Sequence, residues 1–164
     1  MRRHRPVYRT PVGAEERLRE LGIRLPPAPS PVASYIPVVV AGGFAFVSGA
    51  VPLEDGKLLW SGKLGAELGV EDGVQAARRC ALQALSSLRV SLGSLDAIRR
   101  IVKLSVFVAS ADGFTDQPKV ANGASDLLVE VFGEEGRHAR AAVGVAELPL
   151  GAPVEVEVLA AVEA

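Results

Sequence analysis

The chain has 164 residues, with 18 Lys plus Arg against 19 Asp plus Glu, two His and one Cys. That length suits one domain with an appendage, and a net charge of −1 argues against a protein built to coat nucleic acid. The single Cys80 excludes an intrachain disulfide and suits a reducing, cytoplasmic setting, while His4 and His138, far apart and without a Cys cluster, disfavour a metal site. No apolar run approaches the ~20 residues of a membrane span, and the basic start MRRHRPVYR lacks the apolar stretch of a secretory signal.

Charge and proline divide the chain. Residues 1–35 hold seven Arg and three Glu, and seven of the eleven prolines occur by Pro37. Ala14–Leu21 reads as a short helix ended by Gly22, and Leu25–Pro31 as an extended tether, because proline fixes φ and lacks a donor. Residues 1–34 thus read as an N-terminal extension and 35–164 as an α+β domain. The Arg-rich start is either a solvated tail or a contact for nucleic acid or acidic lipid.

Within the domain, Val38–Val40 and Phe44–Ser48 around Gly42-Gly43 predict a hairpin. Val51–Leu53 and Leu58–Ser61 flank the turn signal Glu54-Asp55-Gly56. Val74, Ala77, Ala81, Leu85 and Leu88 recur at helical spacing, predicting a helix over 71–91 with Cys80 packed inside it. Arg99–Ala109 is a strand with Val102, Leu104, Val106 and Val108 on its buried face. A second helix starts at Asp116, buries Val120, Ala124, Leu127, Leu128 and Val131, and ends at Gly133. Ala139–Glu147 and Val154–Val162 are the last two strands. This order gives an α+β sandwich: a mixed, mostly antiparallel sheet with two helices on one face. The other face mixes apolar and charged side chains, as a subunit-facing surface would.

Familiar nucleophile and phosphate motifs fail. Phe46 stands where a nucleophile elbow around Ser48 needs its first Gly, and Gly42-Gly43 lacks the dinucleotide-binding spacing. Arg140 is more informative. It lies among small residues in Ala139-Arg140-Ala141-Ala142-Val143-Gly144-Val145, and a guanidinium matches a carboxylate with two parallel hydrogen bonds. Its alternative role is a salt bridge to Glu155 or Glu157. Those glutamates alternate with valines and also read as solvated strand positions.

FAFVSGAVP (44–52), the strand VKLSVFVAS, the helical QPKVANGASDLLVEVFG and the closing HARAAVGVAELPLGAPVEVEV together resemble the reactive-intermediate deaminase family. These are the Rid or YjgF-like proteins, formerly called endoribonuclease L-PSP. The resemblance runs from about Tyr35 onward, and the segment ERLRELGIRLPPAP resembles a branch carrying an N-terminal extension. It implies a chorismate-mutase-like fold and a homotrimer with sites between subunits. It further implies a cofactor-free, metal-free enamine/imine deaminase, a hydrolase in which Arg140 holds the substrate carboxylate and Glu155 places the attacking water. Tyr35, Ser48, Gly49 and Asn122 match the family's substrate-binding positions. Two positions depart: Ala142 stands where well-studied members have Cys, and Ala50 where many have Gln. These departures keep open an alternative, a non-catalytic homotrimeric module that binds small carboxylates or a partner. RNA cleavage, the older family label, is disfavoured by the charge balance and by the 5% aromatic content.

Overall fold

The computed structural model describes residues 12–30 and 34–163; the Arg-rich start and the end of the tether at Pro31 lie outside them. Among the described residues, three α-helices, α1 (Ala14–Glu20), α2 (Val70–Leu92) and α3 (Gln117–Phe132), accompany strands β1 (Val38–Ala41), β2 (Phe44–Ala50), β3 (Leu53–Glu54), β4 (Lys57–Leu58), β5 (Ile98–Ala109), β6 (Ala139–Val145) and β7 (Val154–Val162). The main sheet runs β1-β2-β7-β5-β6, and β3-β4 form a separate ribbon, shorter than the turn signal suggested. Every main-sheet pairing is antiparallel except β5 with β6, which α3 connects as a crossover. The architecture is the α+β sandwich read from the sequence.

The elements follow from local chemistry. Gly42 and Gly43 both take positive φ (58° and 78°), the left-handed pair that a two-residue hairpin turn requires. Asp72 accepts the Gly69 N–H at 2.9 Å and fixes the start of α2, while Gly93 ends it at φ 81°. Helices α2 and α3 pack on one sheet face. Ala77, Ala81, Leu85 and Leu88 of α2 meet Val120, Ala124, Leu127 and Leu128 of α3, all fully buried. Gly123 lets the two helices approach, since a Cβ there would overlap the Val74 carbonyl. Beneath lie Val154, Val156, Val158, Ala160 and Val162 of β7, as the alternation predicted. Cys80 is buried, and burial pushes its thiol well up, so it packs as a small apolar group.

One core position differs from expectation. Ile101 is buried instead of Val102, because the pairing of β5 with β7 slips between Ile101 and Lys103 and makes Val102 the extra residue. The N-terminal segment is also tied to the domain. Leu18 is 1% exposed, and Glu15 receives the Arg89 guanidinium at 3.0 and 2.6 Å together with the Leu95 N–H at 3.0 Å. Burial alone would raise the Glu15 carboxyl, but the Leu95 and Arg89 hydrogen bonds outweigh it and hold it below its ordinary value. Farther along, Ser86 donates to the Pro26 carbonyl at 2.6 Å. Among the described residues no helix is long and apolar enough to cross a membrane.

Candidate functional site

Arg140 is placed by edge strand β6. It pairs with Leu104 of β5, whose side chain is buried against the helices, so Arg140 faces the helical side too. There α3 receives it. The Nη1 group donates to Asn122 Oδ1 at 2.8 Å and to Ser125 Oγ at 3.1 Å. Asn122 and Ser125 are three residues apart, one turn on the same helix face. Both Nη1 hydrogens are thereby used, which sets the plane of the guanidinium. The Nε–Nη2 edge, the fork that fits a carboxylate side-on, has no acceptor among the described residues. Ala142 and Gly144, next on the same strand face, add no bulk beside it. No described carboxylate lies within ion-pair distance of Arg140, so the alternative salt bridge to Glu155 or Glu157 is not formed.

Ser125 leads to a residue the sequence reading missed. His138 Nε2 is 3.0 Å from Ser125 Oγ, and His138 Nδ1 is 2.6 Å from the Gly136 carbonyl. A carbonyl only accepts, so Nδ1 carries hydrogen and Nε2 faces the serine. In the sequence His138 stands two residues before Arg140, just ahead of β6, and Ser125 follows Asn122 by three on one helix.

Tyr35, Ser48, Gly49 and Glu155 gather elsewhere, around a bulge in β2. Val47 pairs with Val158 and Ala50 with Val156, so Ser48 and Gly49 together oppose Glu157. Ser48 donates its hydroxyl to the Ile36 carbonyl at 2.8 Å and its N–H to the Pro37 carbonyl at 2.9 Å, which pins the segment carrying the exposed Tyr35. Glu155 lies over Gly49, whose missing Cβ makes the room. Burial, then the charge of Glu157, raises the Glu155 carboxyl above its ordinary value. A cavity of about 90 Å³ opens beside the bulge, lined by Tyr35, Ser48, Gly49, Gln83 and Ser87 under Pro29. Gln83 donates to the Leu53 carbonyl at 3.0 Å, while its buried Oε1 has no partner among the described residues.

The structure therefore groups the expected residues into two sets: Arg140 with Asn122, and Tyr35, Ser48 and Gly49 with Glu155. One chain does not unite them. Arg140 is level with Val158 across β5, whereas Glu155 lies two strands away and three residues along, roughly 14 Å between backbones by strand spacing. Glu155 alternates with the buried valines of β7 and so faces the side away from the helices. Among the described residues there is no group of three or more metal-ligating side chains.

Residues 15–162 match the family described as "YjgF/chorismate_mutase-like, putative endoribonuclease". Protein TCP17 of Trypanosoma cruzi is 54% identical over 143 residues, 87% of this chain and 89% of that protein. The crystal structure of Atu1372 from Agrobacterium tumefaciens, a protein of unknown function, superposes with a TM-score of 0.85 at 44% identity, covering 92% of each chain. A crystal structure from Shewanella oneidensis MR-1 gives 0.87 at 35% identity, covering 92% of this chain and 99% of that one. With the fold, the Arg140 strand and the Ser48-Gly49 bulge in place, the chain belongs to the YjgF/chorismate-mutase-like family, which includes the Rid proteins.

Proposed function

We propose that the protein hydrolyses reactive 2-imino or 2-amino-enoic acids to 2-keto acids and ammonia, at sites completed between copies of the chain in a homotrimer. The observation that carries this reading is the Arg140 guanidinium: Nη1 is tied to α3 and the Nε–Nη2 fork is open. A substrate carboxylate takes that fork. Glu155 of a neighbouring copy then polarises water for attack on the imine carbon, and its raised carboxyl makes it a stronger base than an exposed glutamate. Tyr35 and the Ser48-Gly49 bulge shape the wall beside it, and Asn122 fixes the Arg. Such imines hydrolyse unaided, so positioning plus one acid–base group, worth about 10²–10⁴ in rate, is sufficient.

Assembly is supported by the sheet face away from the helices. Phe46 pairs with Leu159 there and is 49% exposed, with Val39 and Val143 exposed on the same face. An apolar face of that kind is suited to a second copy.

The test supplies freshly generated 2-aminoacrylate and follows keto-acid formation. Acceleration over buffer that disappears in Arg140→Ala supports the reading; no acceleration by the assembled protein overturns it. The second reading, a carboxylate-binding module without turnover, is favoured by Ala50 and Ala142, which place no polar group beside either half of the site. It predicts saturable binding of small carboxylic acids by calorimetry with no imine hydrolysis.

A further inference from the structure

We infer that His138 and Ser125 form a proton-delivery arm of the Arg140 site, passing a proton to the nitrogen that departs as ammonia. The inference rests on the imine-hydrolysis reading above. That reaction needs an acid as well as a base. Without one, the carbon–nitrogen bond must expel an amide ion, a very poor leaving group. Glu155 accepts a proton in the proposed mechanism, and none of the residues expected from the sequence donates one.

The hydrogen-bond pattern supplies the donor. With Nδ1–H held by the Gly136 carbonyl at 2.6 Å, a second proton on His138 goes to Nε2, which points at Ser125 Oγ 3.0 Å away. Arg140 Nη1 donates to the same oxygen at 3.1 Å. A hydroxyl oxygen has two lone pairs and one hydrogen. When Nε2–H and Nη1–H fill both lone pairs, the Ser125 proton must turn away from both, toward a group bound beside the guanidinium. When His138 is neutral, the same proton points back at Nε2. The imidazole's charge thus decides whether Ser125 donates outward.

The step balances. Water adds to the iminium carbon and loses a proton to Glu155 of the adjoining copy. The resulting carbinolamine nitrogen takes the Ser125 proton, which His138 Nε2–H replaces. The carbon–nitrogen bond breaks with its electron pair leaving on ammonia, and the hydroxyl proton is lost to solvent as the carbonyl forms. Glu155 then releases its proton and His138 regains one, so no oxidant or metal is consumed. Ser125 touches the substrate in this scheme, and His138 acts through it.

Of the carboxylates on α3 and the turn before β6, Glu130, Glu134 and Glu135 are held by arginines, and no described carboxylate, Asp126 included, is within ion-pair distance of His138. Of the cations, Arg140 shares the Ser125 hydroxyl with His138, the preceding Arg137 pairs with Glu134, and Lys103 of β5 lies on the strand face opposite Leu104, away from the helices.

The experiment measures keto-acid formation from in-situ 2-aminoacrylate against pH, using the full chain and its His138→Gln, Ser125→Ala and Arg140→Ala variants. His138→Gln keeps a donor toward Ser125 but cannot titrate. Both His138→Gln and Ser125→Ala are expected to lose about a hundredfold in kcat. Calorimetric binding of pyruvate should stay within about twofold in His138→Gln, since the Arg140 fork is untouched. The alkaline fall of the wild-type profile is expected to vanish in that variant. A His138→Gln protein with wild-type rate and profile, in an assay where Arg140→Ala is inactive, overturns the relay and leaves imine hydrolysis standing. No acceleration by wild type removes both.

Discussion

The Glu155 carboxyl group lies over the bare Cα of Gly49, where an added Cβ would stand 2.8 Å from its Cδ. Gly49 does not take a positive φ, so an alanine there strains no backbone and acts only through that glutamate. Gly49→Ala is expected to fold normally by circular dichroism and to lose about a hundredfold in imine hydrolysis, as displacement of a single acid–base group would. Steady-state rates checked against thermal melts decide it: full activity in a well-folded Gly49→Ala protein would remove Glu155 from the mechanism.

Glu155 also leaves a mark on stability. Its folded-state value lies above the ordinary one, so at pH between the two values the native protein holds a proton that the unfolded chain has lost. Stability therefore falls as pH rises from the ordinary carboxylate range through the raised value, and levels off beyond. Glu155→Gln cannot ionise and should lack this slope, melting higher than wild type at neutral pH. Urea midpoints across that window report the difference.

Glu15 has the opposite sign. Its folded value is depressed, so its contribution is present above the unfolded value and is lost as pH falls through the folded one. It satisfies both the Arg89 fork and the Leu95 N–H at a partly exposed site. Glu15→Ala is expected to cost about 1 kcal/mol at neutral pH, after discounting for solvent screening. The gap between variant and wild type should close in acid. An unchanged urea midpoint would mean that α1 is not anchored through this carboxylate.

Phe46 tests assembly. Phe46→Glu places a charge on the open sheet face opposite Leu159 without touching the helix-side core. Light scattering should show a trimer for wild type and a folded monomer for the variant, with imine hydrolysis lost alongside.

Much of the fold was legible because it rests on local signals. The Gly42-Gly43 pair specified the hairpin, apolar stripes marked α2 and α3, and alternation sorted the faces of β7. Strand order was not legible. Nothing local in 98–109 or 139–145 says that these segments run parallel, since that pairing is set by α3 crossing over. The Val102 bulge escaped for a related reason: alternation assumes an unbroken ladder. At the site, Arg140 stood out as a fixed charge among small residues. His138 did not, because its relevance depends on α3 bringing Ser125 up to the strand. Nor did the separation of Arg140 from Glu155. Fifteen residues of sequence do not say that β5 is inserted between β6 and β7.

That separation has a genetic consequence. If catalysis needs the arginine of one chain and the glutamate of the next, the two functions can be inherited separately. Arg140→Ala and Glu155→Gln chains, each inert alone, would regain activity when refolded together, with roughly a quarter of the sites rebuilt from the intact halves under random mixing. Conversely, a chain lacking both groups would compromise the sites on both of its sides.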